Sequence, residues 1–389
     1  MSIADKAPML EGIRIVDLTS VVFGPYATQI LADLGADVVK VEPPEGDSFR
    51  YSGKPARTRG MSPGHMSINR GKRSVVLDLK NAADAETMKG LVASADVFIH
   101  NVRAQAITRL GFGYSAAKAL KPDIIYVHCT GFGSDGPYAI LQAYDDVIQA
   151  ASGTATLAPR VDGNPKPRYL PSLIADKVAG LHGAYAVMGA IIHRLRTGEG
   201  QFVEIPMFES FTHFMLKEHL AGQTFDPPTA SICYKRQIDP DRQPFPTADG
   251  YISIVPYTDE SWARVFGVLN APEILEMERF ATPAGRFKHM AELYQAIARL
   301  TPKKTTAELV AAFTAASIPA AAVRDIAEIR SDPHLEAIGF FARREHPTEG
   351  MYYDMRAPVR FERYLSAPLA PAPNIGQHTA EVRDSLACE

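Results

Sequence analysis

From Gly12 to Glu42 the chain alternates between two kinds of apolar spacing. IRIVDL and DVVKVE are short, nearly continuous apolar runs, which fit strands. Between them GPYATQILADLGA has helical spacing and closes on a glycine. Two strands joined through a helix of that length lie parallel. The pattern then recurs: RSVVLDL, DVFIHN and DIIYVHCTGFG read as strands, with AADAETMKGLVASA and YSAAKALKP as the helices between them. This alternation predicts an α/β fold with a Rossmann-like open parallel sheet and helices on both faces. Ligands of such sheets bind beyond the carboxyl ends of the strands, here Thr19–Pro25, Glu42–Asp47, Asn101–Arg109 and Thr130–Gly136.

Further along, a long helix is expected over Asp176–Arg196, ended by RTGEG and followed by the strand QFVEIPM. Ala179, Gly180, Gly183, Ala184, Ala186, Gly189 and Ala190 give this helix little bulk, so another backbone should approach it closely. Residues 1–224 therefore read as a large α/β domain, and the proline-, threonine- and base-rich stretch 225–246 as a linker. Residues 247–325, with the strand DGYISIVPY and the helices SWARVFGVL, MAELYQAIARL and TTAELVAAFTAA, read as a smaller α+β domain. Residues 326–389 turn to short strands and a capped terminal helix in APNIGQHTAEVRDSL.

Composition narrows the function. The 389 residues are 46% hydrophobic with a formal net charge of −3, so nothing draws the whole chain to nucleic acid or an anionic membrane. Cys129, Cys233 and Cys388 lie far apart with no metal-ligand spacing, which speaks against zinc and disulfides and for a reducing, cytoplasmic setting. The N-terminus shows no signal-peptide pattern, and the apolar run Val178–Ile192 is broken by His182 and glycines, short of a membrane span. The loop SVVFGPY after the first strand lacks the GxGxxG turn of dinucleotide enzymes; GxxxxGK[ST], HExxH and GxSxG are missing too.

Asp176 opens the small-residue helix, where aspartate is a preferred N-cap. The same position can hold a carboxylate ionised near helix N–H groups, ready to attack an acyl carbonyl. Tyr144, Asp145 and Asp146 precede VIQAASG; either aspartate can cap that helix, or the cluster can orient an acyl group. Arg103, Arg109 and Lys80 follow strands and serve either as solvated charge or as phosphate contacts. His182 reads as a packed core histidine, and His378 as part of the terminal helix cap.

Beyond these readings the chain resembles the class III CoA-transferases, the formyl-CoA transferase family, over essentially its whole length. The matching stretches include LEGIRIVDLTSVVFGPYATQILADLGADVVKVEPPEGD, NRGKRSVVLDLKN, DVFIHNVRAQAITRLGF, YVHCTGFGSDGPY, AYDDVIQAASG, ADKVAGLHGAYAVMGAIIHRLRTGEGQFVEIPMFES, SIPAAAV and NIGQHTAEV, in the family's order. The resemblance implies a homodimer of interlocked rings, each with a large domain built from both chain ends. It places the nucleophile on Asp176, with Tyr144 and Asp145 beside the acyl group. Coenzyme A contacts fall on the backbone near Ser20 and Val21, and on Leu77, Lys80, Asn101 and Arg109. Backbone N–H groups near Gly24 or of the small domain are candidates to stabilise the tetrahedral oxyanions. Coenzyme A and acyl-CoA are then substrates, with no tightly bound cofactor and no metal.

Three positions depart from formyl-CoA transferase: Pro43 replaces an arginine, Thr130 a lysine, and YTDESW a glycine loop. Formate and oxalate are accordingly not expected as substrates. Lys235, Arg236 and Arg242 are either solvated or placed to meet the far carboxylate of a dicarboxylate. The alternative reading is the α-methylacyl-CoA racemase activity hosted by the same fold. There a histidine pairs with the aspartate, whereas this chain has Tyr144, a poor base at neutral pH.

Overall fold

The computed structural model describes residues 8–362 and 369–388. The chain divides into two compact units. The first takes the chain up to Ala155, Tyr169–Met215 and everything from Ala337; the second takes Thr156–Arg168 and Leu216–Glu336.

The first unit is built on a six-stranded sheet in the order β3-β2-β1-β4-β5-β6, parallel at every pairing. Its strands are β1 (Arg14–Leu18), β2 (Asp37–Glu42), β3 (Lys72–Val76), β4 (Val97–His100), β5 (Ile125–Thr130) and β6 (Phe202–Pro206). Neighbouring residues of each strand serve opposite faces. Ile15, Val38, Val97, Ile99 and Val127 go to one core, with α1 (Phe23–Asp33). Val16, Val39, Val75, Phe98 and Tyr126 go to the other. That second face is covered by α3 (Ala82–Ser94), α4 (Ala104–Arg109) and α5 (Tyr114–Leu120); α2 (Pro63–Ile68) precedes β3. A strand buried on both faces must be apolar at every position, hence the continuous runs of the sequence. Each such Val or Ile stabilises the fold by about 1.5–3 kcal/mol.

Helix α6 (Asp145–Ala151) is followed by α7 (Leu157–Asp162), by the 24-residue α8 (Ile174–Thr197) and, after β6, by α9 (Met207–His219). Gly198, at φ 76°, ends α8 in the left-handed conformation that RTGEG foretells. The small-residue face of α8 packs on α1: a Cβ added to Gly180 would stand 2.9 Å from the Phe23 carbonyl oxygen. The returning C-terminal segment closes the sheet edge. His378 N–H donates to Ser74 O at 2.9 Å, its Nδ1 accepts from Ser74 N–H at 3.1 Å, and Thr379 Oγ1 accepts from Val76 N–H at 3.0 Å.

The second unit has a small antiparallel sheet of β7 (Phe245–Pro246), β8 (Tyr251–Ile254) and β9 (Ala320–Ala322). Over it pack α10 (Asp259–Val268), α12 (Met290–Leu300) and α13 (Thr306–Ala315), with the short α11 (Pro283–Lys288) between. Trp262, Phe266, Leu293 and Phe313 form its core. The stretch 225–246, expected as a linker, lies inside this unit: Cys233 is buried, its N–H donates to His219 O at 2.7 Å, and Phe245 pairs with Ile252. Proline and threonine mark turns, and turns can be packed as well as free. The first unit resumes at Ala337 rather than at residue 326.

Candidate active site

The site starts with the entry to α8. Its N-cap is Leu173, which has no side-chain acceptor for the free N–H groups of the first turn. They are satisfied from another helix. Asp145 Oδ2 accepts from Ala175 N–H at 2.7 Å and from Asp176 N–H at 3.1 Å. Its other oxygen accepts from Gln149 Nε2 at 2.6 Å, one turn on in α6. Gln149 is fully buried and also binds Leu170 N–H through its own oxygen at 2.8 Å. Thus Asp145 caps α8, not the helix that it begins, and Gln149 fixes the approach to it. The Asp-to-Gln spacing of one turn was visible in AYDDVIQAASG.

Asp176 is not the cap; it sits in the first turn of α8, 5% exposed. Among the described residues nothing donates a hydrogen bond to its side chain. Burial, and then the charge of Asp145, push its carboxyl up to about 7. This corrects the expectation that helix N–H groups hold it ionised. The nearest N–H groups are already spent on Asp145, so Asp176 receives their neighbour's negative charge without their donors. The result is a shielded carboxyl that changes charge near neutral pH and is not tied down by the protein.

The loops after β1 and β4 meet at the point where the strand order reverses. Asn101 Oδ1 accepts from Ser20 N–H at 3.1 Å, and Asn101 Nδ2 donates to Ser20 O at 3.0 Å. Val21 adopts φ 67°, which a β-branched residue resists. It is held there by Asp47, whose Oδ1 accepts Val21 N–H at 3.0 Å. Lys40, fully buried, donates to both Asp47 Oδ2 (3.0 Å) and Thr19 O (2.8 Å). Gly24 is required next door, since a Cβ there would lie 2.4 Å from the Thr19 side chain. Lys40 and Asp47 were not singled out from the sequence; a lysine inside the buried run DVVKVE was their signal.

The remaining candidates are more dispersed. Leu77 is 2% exposed, its side chain is in the core, and its N–H donates to Glu42 O. Lys80 is exposed in a turn; Arg103 and Arg109 are exposed at either end of α4 and form no ion pair among the described residues. Tyr144 is 65% exposed at the start of α6. Thr130 Oγ1 is buried without a hydrogen-bond partner among the described residues. His182 Nδ1 lies 2.8 Å from the Val178 carbonyl, part-buried beside Tyr185. Among the described residues no cluster of His, Cys, Asp or Glu could hold a metal, and no helix is long and apolar enough to cross a membrane.

Comparison with known proteins decides the family. The model of "CoA-transferase family III" matches residues 10–379. This chain belongs to the class III CoA-transferases. It is 32% identical to the succinate–glutarate CoA-transferase of Agrobacterium fabrum, across 98% of this chain and 96% of that protein. It is 28% identical to the formyl-CoA:oxalate CoA-transferase of Escherichia coli, across 97% and 95%. Among solved structures, a CaiB/BaiF family protein from Brucella suis superposes with a TM-score of 0.83 at 29% identity, covering 98% of this chain and all of that one. The Agrobacterium and Escherichia relatives are named as CoA-transferases, so the racemase alternative is not favoured. As a class III CoA-transferase, the chain is an enzyme whose substrates carry coenzyme A.

Proposed function

We propose that this enzyme moves coenzyme A from an acyl-CoA to a carboxylic acid through covalent intermediates on Asp176. One observation carries the reading: a buried carboxyl on a fixed helix turn, free of hydrogen bonds from the described protein and balanced between its two charge states. A carboxylate stripped of donors is a stronger nucleophile than a solvated one.

In the proposed sequence an Asp176 oxygen bonds to the thioester carbonyl carbon and the carbon–sulfur bond breaks. This leaves a mixed anhydride and the coenzyme A thiolate. The thiolate then attacks the aspartyl carbonyl, releasing the first acid as its carboxylate and forming an aspartyl thioester. A carboxylate oxygen of the second acid displaces the thiolate again, giving a second anhydride. Attack of the thiolate on the acceptor's carbonyl yields the new acyl-CoA and restores the Asp176 carboxylate. The thiolate must stay bound throughout, which assigns its nucleotide end to the junction of Ser20, Val21 and Asn101, with Lys80, Arg103 and Arg109 as charges for phosphate and Leu77 contributing backbone. Tyr144 and Asp145 flank the acyl group, Asp145 by fixing the turn that carries Asp176. N–H groups near Gly24 meet the oxyanions. The relatives named for succinate, glutarate, mesaconate and oxalate favour a dicarboxylic acid among the exchanged acids. The working form is a homodimer of interlocked rings, residing in the cytoplasm.

Trapping tests the covalent role directly. Under turnover, hydroxylamine or borohydride should modify the peptide that contains Asp176, and Asp176→Asn should reduce transfer at least a thousandfold with coenzyme A binding retained. Unmodified peptide throughout turnover, or a tenth of the activity surviving in the purified variant, would exclude it.

A further inference from the structure

The second unit contains a pocket that the chemistry above does not use. It has a volume of about 110 Å³ and is bordered by Phe245 of β7, Ile254 of β8 and Tyr294 of α12, with Arg236 and Arg242 beside them. Phe245, Ile254 and Tyr294 are buried, so the pocket has a low-dielectric lining in which a charge counts for more than in water.

Two donors meet in it. Among the described residues, Arg236 Nε and the Tyr294 hydroxyl are both buried without a hydrogen-bond partner. Tyr294 is only 2% exposed. The Arg236 guanidinium stands beside the Tyr294 and Tyr234 hydroxyls, which favour its charged form, and a bound anion would offer Nε and the Tyr294 hydroxyl an acceptor of better geometry. The guanidinium is fixed in place: its carbon lies 4.9 Å from the Tyr257 ring centroid, and a terminal nitrogen reaches the Pro256 carbonyl at 3.4 Å. Arg242 donates to the neutral Gln237 side chain at 2.9 Å. Neither arginine meets a carboxylate among the described residues. A lining of two unneutralised guanidinium groups and a phenol donor selects an anion with several acceptor oxygens. The volume is enough for the carboxylate end of a short acid.

We propose that this pocket binds the carboxylate of a short-chain dicarboxylic acid, with Arg236 Nε and the Tyr294 hydroxyl donating to its oxygens and Arg242 adding charge. The choice of a dicarboxylic acid rests on the transferase reading; the anion site rests on the pocket alone.

The protein supplies its own probe. Trp262 is the single tryptophan, and its ring centroid lies 5.8 Å from that of Tyr294. Glutarate titrated into the full-length protein should change Trp262 fluorescence saturably, with a matching heat by calorimetry. Arg236→Met should weaken glutarate at least tenfold, Arg236→Lys less, and Tyr294→Phe severalfold. Asp176→Ala should leave the affinity unchanged, which separates this site from the covalent chemistry: either can fail while the other stands. Thermal melts report whether Arg236→Met folds; if it does not, the conservative Tyr294→Phe decides. No saturable response in the wild type, unaltered affinity in Tyr294→Phe and Arg236→Met, or inorganic phosphate binding as tightly as glutarate would overturn the proposal.

Discussion

Asp176 and Asp17 are both buried carboxyls of the first unit, and their surroundings shift them in opposite directions. Burial pushes both upward. Around Asp17 the Lys72 ammonium stands at 3.2 Å, Lys40 lies close by, and the hydroxyls of Thr19 and Thr28 donate, so its carboxyl ends below the usual range. Among the described residues the charge that shifts Asp176 is that of Asp145, which adds to burial, and the carboxyl rises to about 7. Burial alone therefore does not set a charge state; the partners do. The first arrangement holds a loop in place, and the second leaves a buried carboxyl without a compensating cation among the described residues.

Breaking the paired region should have the largest effect. Lys72→Met removes the ion-pair partner of Asp17 in the core and should cost about 3–5 kcal/mol in chemical denaturation. A loss below 1 kcal/mol would mean that the pairing contributes little. The unpaired region should respond with the opposite sign. A carboxyl whose folded pKa lies above its unfolded value of 3.8 favours the folded state fully at low pH. That preference is lost progressively from about 3.8 and is gone once pH passes about 7, because in that window the unfolded chain releases its proton while the buried carboxyl keeps its own. Asp176→Asn should accordingly stabilise the protein at pH 8 by up to about 4 kcal/mol and make no difference near pH 3. Melting curves at both pH values check this; equal shifts would show that the effect is not ionisation.

The smallest effect sharpens the contrast by touching only the charge between α6 and α8. Asp145→Asn keeps an acceptor for the α8 turn and removes the repulsion. The acid limb of kcat/KM, expected near pH 7 because the proposed attack needs Asp176 ionised, should move down. It should stop well short of an ordinary aspartate, since burial remains the larger cause. An unmoved limb would assign it to another group.

The apolar runs and helical spacing of residues 12–136 determined the parallel sheet, because a strand buried on both faces and a helix buried on one leave different periods in the chain. The small residues of 176–196 likewise announced a close helix contact, and the order of motifs announced the family. Whether Asp176 caps, stays ionised or stands free was settled only by folding. Asp145 lies thirty-one positions before Asp176, and its carboxylate takes the α8 N–H groups across that gap. The buried cations at Lys40 and Lys72 were hidden for the same reason: a charge inside an apolar strand can be interpreted only once its counter-ion from a distant strand or loop is beside it. Local sequence carries periodicity, whereas ionisation depends on distances between residues that the chain itself keeps far apart.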